Sequence, residues 1–357
     1  MTIKNKFSLL IYLLFLIAGI SFQEILYPKF YITLSIIVNI SIVFIIFNKK
    51  NYKKILIYAT IFFIGTLILN YQKNNYQYFL EKLENKTLDL NVTVLNKETN
   101  KYGKIKEELL LRITNTNNLE INNKKFNIIL YLYSNSDIQY GQSLLIKNIK
   151  IKNFHKKPNF KNYLIKENIS ATIFAKNINY TILKTDNNSL SGKIYRFRKK
   201  IFENLKSKIN TNNFSYFSSI FLGYKKEPIN SQEKNLFNIW GISHYLARSG
   251  LHIVLFILIW QILLSLIPIN LNFKNLFLLF LVLVYVFMSW TSISLLRAFY
   301  AFLLIQLGNI LSQPTKYLHL LSLTCIITLL LNPIQLFFVD FQLTYGLTFT
   351  LILIGEI

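Results

Sequence analysis

The chain has 357 residues, is 52% apolar, and carries a formal net charge of +24. Hydrophobicity and basicity of this degree coexist only if they are segregated, and from residue 240 onward there are just four basic residues (Arg248, Lys274, Arg297, Lys316) and two acids (Asp340, Glu356). A single cysteine, Cys325, excludes an internal disulfide framework and any multi-thiolate metal site.

Three hydrophobic segments open the chain, near 7–22, 30–47 and 55–69. Lys4 and Lys6 precede the first, as in a signal peptide. No Ala-x-Ala cleavage site follows and a second apolar segment comes almost at once, so a retained membrane helix is expected. The loop 48–54 holds Lys49, Lys50, Lys53 and Lys54, whereas the loop before it holds Glu24 and Lys29. The positive-inside bias places the N-terminus and the basic loop in the cytoplasm, and an odd number of spans then puts residue 70 onward outside.

Residues 70–190 have a different texture. Leu88, Leu90, Val92 and Val94 alternate with polar residues, the period of a half-buried strand. Similar stretches recur at 109–113, 126–133, 143–151, 171–175 and 180–183, with turn signals such as Tyr140-Gly141 between them. Five or six short strands predict a small barrel or sandwich. The region holds 19 Lys/Arg against 10 Asp/Glu. With Phe126, Tyr131, Tyr133, Tyr140, Phe154 and His155, that basicity predicts either a cationic stacking groove for single-stranded DNA or simply a filled barrel with a soluble surface. Both readings stay open at this point.

From 193 to 210, Ile194, Phe197, Ile201, Leu205 and Ile209 form a helical stripe among Lys193, Arg196, Arg198, Lys199, Lys200, Lys206 and Lys208. The pattern predicts a helix over 191–213 lying on anionic head groups, with Arg196, Arg198, Lys199 and Lys200 at the membrane interface. Phosphate contacts at a channel mouth are the other reading.

Further apolar segments fall near 250–268, 276–289, 295–312, 317–331 and 335–355. His244, Arg248 and His252 enter an apolar run at spacings of four, on one helical face. A charge in hydrocarbon costs at least ~2.5–3.5 kcal/mol on insertion scales, so such residues need a wet path or a partner. Two histidines two turns apart lack the third close ligand that zinc requires. Ser249-Gly250 lacks the Gly-x-Ser-x-Gly elbow of a serine hydrolase. Gly250 is better suited to a helix break or a close crossing. Arg297, inside Leu295-Leu296-Arg297-Ala298-Phe299, faces either a polar path or Asp340 as a structural partner.

The word Ser243-His244-Tyr245-Leu246-Ala247-Arg248-Ser249-Gly250-Leu251-His252 strongly resembles the ComEC/Rec2 family, membrane channels for DNA uptake in bacterial transformation. Arg248 departs from it, standing where the family is usually aliphatic. Weaker echoes are Leu222-Gly223-Tyr224, without the charged residue that commonly follows, and Ile293-Ser294-Leu295-Leu296-Arg297-Ala298, without the proline of Pro-Ser-x-x-Arg-Ala. Asn332-Pro333 and Phe341-Gln342-Leu343-Thr344-Tyr345 resemble Asp-Pro and Phe-Gln-Leu-Ser-Phe more closely, with Asp340 where a small residue is expected. Many members carry an OB-fold where the strands lie here, and Gly141-Gln142-Ser143 with Asn159-Phe160-Lys161-Asn162-Tyr163-Leu164 looks like that module. Members typically continue through more channel helices, and many end in a metallo-β-lactamase-like domain. No His-x-His-x-Asp-His run occurs here, which predicts a truncated version.

The expected fold is a polytopic α-helical membrane protein with an inserted small all-β, OB-like extracytoplasmic domain. Its expected parts are N-terminal transmembrane helices (1–69), the β-domain (70–190), the basic interfacial helix (191–213) and an incomplete channel region (214–357). The resemblance implies a bacterial inner-membrane protein, not an enzyme, that passes single-stranded DNA inward without metal or cofactor. Expected translocation-path residues are His244, Arg248, Ser249, Gly250, His252, Arg297, Asp340 and Gln342. Expected partners are membrane lipids, single-stranded DNA, other competence proteins or a separately encoded C-terminal part, and further copies of the chain. A decayed or split-gene remnant is the main alternative. A small-solute transporter is the third, disfavoured because no internal repeat or pair of broken helices is present.

Overall fold

The computed structural model describes residues 8–26, 52–83, 86–99, 104–116, 126–151, 158–185, 190–224, 227, 229–242, 250–290, 292–310 and 316–355. The chain divides into two compact units, one of residues 1–69 with 204–357 and one of residues 70–203. The expected segment 30–47 lies outside the described residues.

In the first unit, α1 spans Ser8–Leu26 and α2 starts at Tyr52, in a helix that runs on to Leu83. Their crossing is set by two glycines. A Cβ on Gly19 would land on the Phe62 carbonyl, and one on Gly65 would lie 2.6 Å from the Leu16 carbonyl. Such close backbone approach is the usual means by which helices associate where lipid removes the hydrophobic drive. Phe15 stacks on Tyr58 beside this crossing, with centroids 4.7 Å apart.

The C-terminal helices are α5 (Thr211–Phe217), α6 (Ser231–Ile239), α7 (Gly250–Ser265), α8 (Leu271–Met288), α9 (Ile293–Ile310), α10 (Tyr317–Leu331) and α11 (Val339–Gly355), taking α3 and α4 from the second unit below. A π-turn, Ser218–Leu222, follows α5, and a 3-10 turn, Pro333–Phe337, precedes α11. Asparagines start three of these helices: the side chains of Asn210, Asn230 and Asn270 each accept the N–H two residues on, satisfying an orphan first-turn donor. Leu9–Leu26, Lys53–Tyr78 and Leu271–Met288 are long and apolar enough to cross a membrane, and α7, α9, α10 and α11 are shorter apolar helices. Ile253, Leu278, Val282, Leu295, Phe299 and Phe302 form the core where α7, α8 and α9 meet.

The second unit holds a six-stranded mixed sheet in the order β5-β3-β2-β1-β4-β6. Its strands are β1 (Thr87–Thr99), β2 (Glu107–Thr116), β3 (Phe126–Leu132), β4 (Gln142–Lys150), β5 (Ile169–Ala175) and β6 (Asn179–Thr185). All neighbours are antiparallel except β3 and β5, which are parallel. The alternation read from the sequence is the burial pattern of β1, with Leu88, Leu90, Val92 and Val94 inward. Gly141, at φ +80°, turns the chain into β4 as the Tyr140-Gly141 signal implied.

Three expectations are corrected here. The module is not all-β: α3 (Pro158–Lys166) occupies the stretch containing Phe160 to Leu164 and packs on β5, supplying the crossover that a parallel pair needs. Residues 70–83, assigned to the strand region, continue α2 as helix. The basic helix α4 (Leu190–Lys208) forms as its apolar stripe implied, but it ends at Lys208, and its residues to 203 group with the sheet unit. The physical reason is Tyr195, whose ring stacks on Tyr140 at 4.0 Å and whose hydroxyl donates to the Lys97 carbonyl at 3.1 Å. A buried carboxylate, Glu107, pairs with Lys97 at 2.9 Å and accepts the Ser136 hydroxyl, tying β1, β2 and the chain after β3 together. Removing one partner of such a pair would strand a buried charge.

Candidate functional site

Arg297 enters one turn into α9, and its guanidinium effectively never loses its proton. It donates to the Thr344 carbonyl and the Thr348 hydroxyl of α11 and lies 5.9 Å over the Tyr345 ring. The Tyr345 hydroxyl in turn sits 2.8 Å from that of Thr328 and 3.3 Å from the Thr324 carbonyl on α10. One cation thus organises three helices through neutral oxygens and a ring face, a common solution where water is scarce.

Among the described residues, the partners of Arg297 do not include Asp340, so of the two readings left open by the sequence the structural pair is not the arrangement found. Asp340 lies in the first turn of α11, where its carboxylate accepts the Phe341 N–H at 3.0 Å and the exposed N–H groups favour an anion. Arg297 engages α11 one turn farther on. Gln342 donates to the Leu336 carbonyl at 3.0 Å and so fixes the 3-10 turn to α11.

Gly250 begins α7 against α9. Its N–H donates to the Ser294 hydroxyl at 2.9 Å, and a Cβ there would come within 3.2 Å of the Ser294 carbonyl and 3.3 Å of Ala298. A close crossing is therefore what this glycine provides. His252, half a turn on, meets Phe221 edge-on with centroids 5.9 Å apart. Phe221 belongs to the π-turn, which ends at Gly223 with φ +75°, a conformation glycine adopts without penalty. The Phe221 carbonyl accepts the Tyr285 hydroxyl at 3.0 Å, the Leu222 carbonyl accepts the Trp290 N–H at 2.8 Å, and Tyr224 packs on Trp290. Four words far apart in sequence, at 222–224, 250–252, 293–298 and 341–345, are thereby linked contact by contact.

A cavity of about 650 Å³ opens beside this cluster, and Gly250, Arg297, Ala298 and Thr348 line it. It continues between apolar walls such as Ile253, Ile257 and Phe302 to Gln261, Asn275, Gln306 and Asn309. These four carboxamides were not singled out from the sequence. Their signal was there: Gln306 interrupts Leu303-Leu304-Ile305-Gln306-Leu307, as polar a break as the arginine.

The comparison with protein families decides the nature of this region: the model described as Competence protein matches residues 220–357. Residues 220–357 are a competence domain of the ComEC/Rec2 type. No curated protein and no solved structure matches the chain. The competence domain holds Gly250, His252, Arg297, Asp340 and Gln342, and with the three long apolar helices it marks a membrane protein. His244, Arg248 and Ser249 fall within the same match but lie outside the described residues.

The aromatic residues of the sheet unit separate into two groups. Phe126 is 5% exposed and fills the core, so its ring offers no stacking face, a correction explained by its inward register on β3. Tyr131, on the other face, stacks on its β5 partner Phe174 at 4.8 Å, while Tyr133, Tyr163 and Phe174 are exposed. Burial pushes the Tyr131 phenol up to about 12, with Glu108 and Tyr163 adding to the shift. Phe154 and His155 lie outside the described residues. On α4, Arg196, Lys199 and Lys200 are exposed, whereas Arg198 is half-buried over the Tyr195 ring at 5.8 Å. Arg198 thus covers the ring of Tyr195 on its own helix, and it is Tyr195 that ties α4 to the sheet unit.

Proposed function

We propose that this chain is a multi-pass protein of the bacterial inner membrane that passes single-stranded DNA toward the cytoplasm during transformation. The observation that carries the reading is the junction of the competence words around Gly250 and Arg297, at the mouth of a cavity running along α9. A guanidinium beside the cavity attracts phosphate, and phosphate contacts carry no base information, so selection by sequence is not expected. The sheet unit, oriented outward by the basic 48–54 loop, receives the strand first. Its pairing order and α3 crossover suit an OB-like module, and Tyr131, Tyr133, Phe174 and Tyr163 offer ring faces to bases. Arg196, Lys199 and Lys200 hold the exposed side of α4 to anionic head groups. Lipids, single-stranded DNA, other competence proteins and a second copy of the chain are the partners this reading allows.

The test is genetic. In a transformable bacterium deleted for its own uptake channel, expression of the chain should raise transformant numbers at least tenfold over the deletion background. Background numbers, with the chain shown to be in the membrane, would favour the inactive remnant.

A further inference from the structure

The far end of the cavity holds a second polar station that no competence word marks. On α9, Gln306 lies nine residues beyond Arg297, about 14 Å along the helix at 1.5 Å per residue. Its side chain is 4% exposed, and among the described residues its Oε1 has no hydrogen-bond partner. An amide oxygen buried without a partner is costly in an apolar setting, and more so at membrane depth. Gln306 lines the cavity together with Asn309, Gln261 and Asn275, so carboxamides from α7, α8 and α9 converge on one space. An acyl chain in that space would leave the Gln306 Oε1 without a partner and would lay apolar carbon against the other three carboxamides. Water or a hydrated polar cargo would satisfy all of them.

We propose that Gln306, with Asn309, Gln261 and Asn275, forms a neutral hydrogen-bonding station in a water-filled path, in series with the cationic station at Arg297. Its ligand class is a hydrated polynucleotide: carboxamides donate and accept, so they exchange hydrogen bonds with bases and phosphate-bound water without holding an anion tightly. A strand is thereby attracted at Arg297 and released along α9. The proposal deepens the translocation reading and rests on it for the cargo, but not for the presence of water.

Single cysteines at Gln306 and Asn309, in a Cys325→Ser background, are treated in membranes with a membrane-impermeant maleimide. A cysteine at Leu307, whose side chain is exposed on α9 and absent from the cavity lining, serves as the lipid-facing control. Labelling at 306 and 309 should exceed that at 307 by at least fivefold. Labelling no faster than at 307 would overturn the station and make the space a lipid or packing cavity. The transport reading is scored separately, by transformant counts with the unsubstituted chain. Water at 306 without transformants would retain the station while rejecting DNA as cargo. Gln306→Leu supplies a second readout: it should lower uptake severalfold while leaving the yield of extracted protein unchanged, and unchanged uptake would contradict the station.

Discussion

Gly19→Val is expected to be the most damaging single substitution in the N-terminal helices. The Cβ would occupy the position of the Phe62 carbonyl, and a backbone atom cannot rotate away as a flexible side chain can. Overpacking in a well-filled contact costs roughly 1–3 kcal/mol, occasionally more. Gly65→Val, 2.6 Å from the Leu16 carbonyl, should behave alike because it lies in the same crossing. Gly346→Ala on α11 is the control, since nothing lies within 4 Å of its added Cβ and alanine favours helix by up to about 1 kcal/mol. Thermal unfolding in detergent should show the midpoint of Gly19→Val and Gly65→Val lowered by several degrees, with Gly346→Ala unchanged or raised. An unaltered midpoint for both valines would mean that α1 and α2 do not cross at these glycines.

The second large effect belongs to Arg297. Arg297→Asp replaces a donor by an acceptor facing the Thr344 carbonyl and leaves an unpaired anion among apolar helices, at a cost of at least ~2.5–3.5 kcal/mol on insertion scales. Recovery of monodisperse protein after extraction should fall severalfold. Adding Asp340→Arg should not restore it, because Asp340 caps its own helix rather than the arginine. Arg297→Gln, which keeps an N–H donor for Thr344, should be recovered normally yet support less DNA uptake. Rescue of folding by the double charge swap would contradict the contacts described for α9 and α11.

Much of this architecture could be read from residue patterns, for definite reasons. Apolar runs placed the five helices α7 to α11, but their ends were less legible: α8 begins at Leu271 rather than near 276 because Asn270 caps it, and α11 begins at Val339 because Pro333–Phe337 forms a 3-10 turn. Period-two alternation gave β1, β2 and β4 directly, because one face of each packs into a single core, whereas β5 is buried on both faces and was found as a short apolar run. Other features left no such trace. The continuation of α2 to Leu83 passes through Asn70, Asn74 and Asn75, weak helix formers that read as a loop. The attachment of α4 depends on a stacked pair, Tyr140 and Tyr195, separated by 55 positions. The partner of Arg297 was sought among carboxylates, since charge is visible in sequence, but a carbonyl and a hydroxyl one turn apart on α11 satisfy it. Resemblance picked out Gly250 and Arg297, whereas Gln306 belongs to no family word, and only its place on the cavity wall separates it from a packing glutamine.

The most direct measurement of the central claim uses the whole chain reconstituted in vesicles with an imposed membrane potential. Labelled single-stranded DNA is added outside, followed by nuclease. Nuclease-protected DNA is expected inside, more for single-stranded than for duplex DNA of equal length, and severalfold less with Arg297→Gln or Gln306→Leu. Vesicles that contain folded, inserted chain and protect no more DNA than empty ones would contradict it.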